Sequence, residues 1–106
     1  MMRDKRRYIS ILSSRPVAEP DRKRFESELY SAMMQQLGES EYFKANPKIA
    51  KFTGKDTFVL KVALDRYEHS IVALTFIKSI SGKPIGLYTL KSSGTIRALE
   101  KRPATR

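Results

Sequence analysis

The clearest pattern along the chain is the alternation from Thr57 to Leu64. Phe58, Leu60, Val62 and Leu64 fall on one side, with Val59, Lys61 and Ala63 on the other. A period of two belongs to a strand with one buried face. Tyr8 to Ser13 and Lys48 to Thr53 read as shorter strands, Gly54-Lys55-Asp56 as a hairpin turn, and Pro84 to Ser92 as a fourth strand. Between the first two strands the period changes. Phe25, Leu29, Ala32, Met33, Gln36 and Leu37 recur at helical spacing, from a start near Pro20 or Asp21 to a stop at Gly38. Residues 39–47 form a polar connection ending at Pro47, with room for one helical turn. Asp65-Arg66-Tyr67-Glu68 has capping-box spacing and predicts a second helix through Ile71, Leu74, Ile77 and Ile80, closed by Gly82. A short last helix is predicted from Thr95 to Arg102.

Strand, helix, strand, strand, helix, strand is the order of a ferredoxin-like, RNA-recognition-motif-like α/β sandwich. Right-handed crossovers place both long helices on one face of a four-stranded antiparallel sheet, and the C-terminal helix is extra. The opposite face would carry Val59, Lys61 and Ala63. By parity Tyr8, Leu12, Ile49, Lys51, Tyr88 and Leu90 join them. That mixture is too apolar to stay wet, so the last helix, another protein, or both should cover it. Tyr8, Leu12, Val59, Tyr88 and Leu90, with Ile96 and Leu99 of the last helix, are the candidate protein contacts.

The 106 residues suffice for one domain, with a basic arm at 1–7 and a tail at 103–106. A hydrophobic content of 41% argues against a disordered basic tail. No apolar run reaches the length of a membrane span, the start lacks the apolar stretch of a signal peptide, and cysteine is absent. These features fit a cytoplasmic protein without disulfides or thiolate metal sites.

A formal charge of +10 points to a polyanionic partner, most often nucleic acid. Its distribution is more telling than its total. The net is +3 in residues 1–7, +3 in 48–61 and +6 in 78–106, whereas 8–47 and 62–77 are each −1. The candidate RNA contacts are Arg3, Lys5, Arg6 and Arg7 of the arm, Lys51 and Lys61 of the strands, and a cluster near the C-terminus. That cluster comprises Lys91, Ser93, Gly94, Thr95, Arg97, Lys101 and Arg102. Guanidinium forks suit phosphates, and free N–H groups where Gly94 leads into a helix would add an uncharged anion site. The third strand lacks the aromatics on which single-stranded bases stack, so backbone and shape recognition is expected over base reading.

Catalytic chemistry is missing. His69 is the sole histidine and sits in a predicted helix. Capping accounts for Asp65 and Glu68, and a turn accounts for Asp56. No carboxylate cluster, nucleophile–base pair or Walker-type loop is present, so the chain reads as non-catalytic and free of bound cofactor or metal.

The run Ser92-Ser93-Gly94-Thr95-Ile96-Arg97-Ala98-Leu99 resembles the "SGTI(K/R)AL" signature of the archaeal ribonuclease P protein component 2 family. The likeness spans roughly residues 6 to 100. It takes in Arg7-Tyr8-Ile9, Leu37-Gly38-Glu39, Phe58-Val59-Leu60-Lys61-Val62, and Ile71-Val72-Ala73-Leu74 with Ile80 and Gly82. Thr57-Phe58 replaces a glycine-containing approach, Lys61 stands where arginine is common, and Arg97 replaces a usual lysine. The resemblance implies a protein cofactor of the catalytic RNA that removes the 5′ leader of precursor tRNA, with magnesium held by that RNA. It further implies ribonuclease P RNA as direct partner, precursor tRNA as an indirect one, and pairing with a TIM-barrel-like protein component 3, two such pairs associating. The alternatives are a general or ribosome-associated RNA-binding protein and, from the enzyme class, a small metal-dependent nuclease.

Overall fold

The computed structural model describes residues 5–80 and 82–94. Strand β1 (Arg6–Ser13) leads through a loop and a 3-10 turn to helix α1 (Arg22–Leu37) and the short helix α2 (Glu39–Ala45). A hairpin of β2 (Lys48–Phe52) and β3 (Thr57–Ala63) follows, then helix α3 (Tyr67–Phe76). A two-residue hairpin, β4 (Ser79–Ile80) with β5 (Lys83–Pro84), precedes β6 (Leu87–Ser93). The main sheet is antiparallel in the order β2-β3-β1-β6, which is the expected ferredoxin-like arrangement.

The core follows from the alternation. Ile9 and Ile11 of β1 stand opposite Leu60 and Phe58 of β3, and all four are fully buried with Val62. Phe25, Leu29 and Met33 of α1 and Leu74 of α3 close over them. Phe58 packs edge-on to Phe25, with ring centroids 5.5 Å apart, and Phe52 lies 5.8 Å from Phe58. Gly38 ends α1 with φ +88°, a conformation that side-chain-bearing residues rarely adopt, so α2 starts in a new direction at once.

Tyr30 ties the layers together. Its hydroxyl accepts a 2.7 Å hydrogen bond from the Ile49 N–H of edge strand β2. Burial raises the Tyr30 phenol above its ordinary value of 10.0, although the Ile49 hydrogen bond pulls the other way. The unfolded chain therefore ionises first. This stabilisation is complete below about pH 10 and fades as the pH climbs through the folded value. Tyr30→Phe should cost about 1 kcal/mol at pH 7 yet lose less stability on moving to pH 11, as read by urea unfolding at both pH values.

Four local expectations are corrected. The residues after Gly38 form a helix of seven residues, not a single turn within a polar connection. The second helix stops at Phe76, where Ile77 takes an extended conformation, and Gly82, at φ +74°, instead turns the β4–β5 hairpin, where Ile80 is buried in the core. The fourth strand accordingly begins at Leu87. No capping box forms at Asp65. The chain passes from β3 directly into a 3-10 turn, Leu64–Arg66, which leaves Asp65 beside Arg66 at 3.5 Å and exposes Leu64.

Candidate nucleic-acid interface

Helices cover one face of the sheet, and the register assigns side chains to the other. Antiparallel partners point to the same side, so each ladder position defines a row across the strands. One row reads Lys48 on β2, Lys61 on β3, Tyr8 on β1 and Ser93 on β6. The next reads Lys51, Val59, Ser10 and Lys91. Arg6 stands opposite Ala63 on one flank, and Thr57, Leu12 and Tyr88 line up on the other. Among the described residues five cations thus share the face. No aspartate or glutamate occurs in any of its four strands.

Two irregularities build this arrangement. In a regular strand Lys48 and Lys51, three positions apart, would face opposite ways. A register shift between Ile49 and Lys51 makes Ala50 the extra residue and brings both lysines to the open side. A second shift, opposite Ser10 and Ile11, makes Leu90 the extra residue of β6. It places Lys91 and Ser93 outward with Tyr88 and turns Ser92 inward. Lys48 is the contact that sequence reading missed. Its only signal was the three-residue spacing from Lys51, which has meaning only once the bulge is known.

Ser92 explains part of the C-terminal run. Its Oγ lies 2.7 Å from the Tyr67 hydroxyl at the start of α3 and accepts a 3.2 Å hydrogen bond from Arg7. The Arg7 guanidinium sits 5.1 Å from the centre of the Tyr67 ring. Arg7 therefore lies on the helix side, locking the beginning of β1 to the end of β6 and to α3, away from Arg6 and the lysines.

The remaining expected residues divide as follows. Lys51 and Lys91 are exposed and Lys61 is half-buried. Lys5 is exposed just before β1, and its carbonyl accepts the Leu64 N–H at 2.9 Å. Gly94 is exposed just after β6. Arg3, Thr95, Ile96, Arg97, Leu99, Lys101 and Arg102, and with them the expected last helix, lie outside the described residues. Among the apolar candidates, Tyr88 and Leu90 are each 55% exposed, whereas Tyr8 and Leu12 are half-buried. Val59, opposite Ser10 and Lys51 in the ladder, is only 1% exposed and offers no contact surface. Ile49, expected on the open face, points to the core as the partner of Leu60, because the bulge reverses its parity relative to Lys51.

The helical layer is close to balanced in charge, with Arg22, Lys23, Arg24 and Lys44 beside five glutamates. Glu26, Glu28, Glu39, Glu41 and Glu68 lie on the three helices. Arg66 joins α2 to the start of α3 through Glu41 at 2.8 Å. Val72 and Phe76 of α3 are more than half exposed beside them. Among the described residues no group of three or more His, Asp or Glu side chains gathers to hold a metal ion, and no helix is long and apolar enough to cross a membrane.

A profile of the Rpp14/Pop5 family, named for RNase P, matches residues 7–103. The chain belongs to the Rpp14/Pop5 family. A curated relative, "Ribonuclease P protein component 2" of Thermococcus kodakarensis, is 31% identical over 104 residues, covering 95% of this chain and 84% of its own length. A chain in the cryo-EM structure of yeast ribonuclease MRP superposes with a TM-score of 0.58 at 13% identity, over 97% of this chain and 84% of that one. The second likeness supports the fold. The first extends across nearly the whole of this Rpp14/Pop5 chain, so the likeness of Ser92 to Leu99 is one part of a chain-long match.

Proposed function

We propose that this Rpp14/Pop5 protein is a cytoplasmic, non-catalytic subunit of ribonuclease P that holds the catalytic RNA on its open sheet face. The observation that carries the proposal is the meeting of five described cations on one face, whose four strands contain no acid and whose edge-strand lysines are brought there by two bulges, in a chain whose relative is a ribonuclease P component. Each phosphate neutralised there releases counterions, a driving force indifferent to base sequence. Ordinary RNA-recognition motifs stack bases on aromatics of the two central strands; here Tyr8 of β1 is the one such aromatic on that face, β3 presents none, and Tyr88 lies on edge strand β6. Shape and backbone recognition of folded RNA fits this better than base reading.

On this reading magnesium and the hydrolytic step belong to the RNA, and no side chain of this subunit touches the scissile phosphate. Precursor tRNA is met only indirectly. Protein partners, among them a TIM-barrel-like component 3 and a second copy of the pair, use the β6 flank of that face and the helical layer. Exposed Tyr88 and Leu90 on edge strand β6, and Val72 and Phe76 on the mildly acidic helical layer, are apolar surface suited to protein.

The test is reconstitution with magnesium. The protein alone should leave precursor tRNA intact, and adding it with component 3 to ribonuclease P RNA should raise cleavage. Cleavage by the protein alone, abolished by Asp65→Ala, would favour a metal-dependent nuclease. Tighter binding to ribosomal RNA would favour the ribosome-associated alternative.

A further inference from the structure

The outer row of the open face has an unusual feature. Lys48 and Lys61 are direct cross-strand partners, on the same side of adjacent strands. Directly opposed side chains have Cβ atoms about 4.5–5.5 Å apart, and like charges so placed destabilise a sheet. The fold does not require this pairing, because Lys48 faces outward with Lys61 only through the bulge at Ala50. Lys48 and Lys61 form no ion pair with a described residue, and their strands contain no acid to soften the repulsion. Next in the same row stands the hydroxyl-bearing Tyr8, directly opposite Lys61.

We propose that Lys48 and Lys61 form a clamp for a single backbone phosphate of the bound RNA, with the Tyr8 hydroxyl as a further donor. The inference rests on the sheet-face reading above and sharpens it to one site. Two compact ammonium groups, each with three donors, can share one phosphate without the planar match that an arginine fork needs. The shared anion converts their repulsion into attraction. The neighbouring row supplies an internal control. Lys51 and Lys91 lie on opposite edge strands with Val59 and Ser10 between them, about 14 Å apart across the sheet, so each must take its own phosphate.

The experiment compares Lys48→Gln/Lys61→Gln with Lys51→Gln/Lys91→Gln in the full chain. The slope of log affinity against log salt is measured on ribonuclease P RNA. The clamp pair should lower the slope by about 0.7–0.9, the value for one phosphate, and the control pair by about twice as much. In the free protein, Lys61→Gln should raise the melting temperature by about 2 °C or more. Sodium phosphate, against sodium chloride at equal ionic strength, should stabilise the unaltered chain more than it stabilises Lys61→Gln. Equal slope changes for the two pairs, or a melting temperature that falls in Lys61→Gln, overturns the clamp while leaving the sheet-face reading intact. Unchanged slopes in both pairs overturn that reading and the clamp together.

Discussion

Replacing Lys48, Lys51, Lys61 and Lys91 together by glutamine should weaken binding to ribonuclease P RNA roughly a thousandfold near physiological salt. The estimate takes about 1.5 kcal/mol, the low end for a charge-assisted contact, at each of three phosphates, two lysines sharing one. The salt slope should shrink by about 2–3, the equivalent of three phosphates. Stability separates this result from unfolding. All four side chains point away from the core, so the variant should melt no lower than the original chain. Filter binding across a salt series and a thermal melt together make the check. A binding loss accompanied by collapse of the melt would implicate the fold in place of the surface. Glutamines on helix lysines, for example Lys23→Gln with Lys44→Gln, should leave affinity nearly unchanged, because both lysines lie in the helical layer.

Phe58→Ala should have the largest effect on stability, a loss of about 3–5 kcal/mol. Phe58 is fully buried, contacts the Phe25 ring edge-on, and stands opposite Ile11 and Phe52 at the centre of the sheet. Its removal leaves a cavity bounded by a β-sheet on one side and α1 on the other, neither of which can collapse freely. A domain of this size has total stability on the order of 5–15 kcal/mol, so the variant should melt some 15 °C lower or more. The denaturant dependence of its unfolding should stay the same, which would place the change in the folded state's stability. Any RNA-binding defect should disappear at low temperature, where the variant is folded. A defect that persisted there would mean that Phe58 shapes the interface directly.

The strand order and the core were legible because burial on one side leaves a period of two that nothing else produces. Phe58, Leu60 and Val62 announced the inner face of β3, and Phe25, Leu29 and Met33 the inner face of α1. Gly38 marked the helix end because the turn there requires positive φ. The face of each edge-strand residue was not legible. Parity holds only while a strand is regular, and one extra residue reverses everything beyond it. Thus Ile49 proved to be core and Lys48 surface, and the signature serines divided, Ser92 inward to Tyr67 and Ser93 outward. Val59 shows a second limit. Pattern assigns a side, but it does not give the exposure of a residue on that side. Arg7 shows a third. Its charge placed it with the arm, whereas cation–π packing on Tyr67 and a hydrogen bond to Ser92 hold it on the helix side.

The two bulges also bear on why such a surface exists. A regular β2 would split Lys48 and Lys51 between the faces, and a regular β6 would send Lys91 toward the helices. Burying an ammonium there would cost far more than an irregular ladder. The irregular edges therefore gather charge on one side without burying any of it. The helical layer, with Glu41 engaged by Arg66 and Lys44 and Glu28 by Arg24, is left nearly neutral and suited to meet protein.

Lysine acetylation footprinting, read by mass spectrometry on the protein with and without ribonuclease P RNA, tests the sheet-face account most directly. Lys48, Lys51, Lys61 and Lys91 should become protected when RNA is bound, while Lys23 and Lys44 on the helical layer keep their reactivity. Protection of Lys23 and Lys44 with the four sheet lysines still reactive would contradict it.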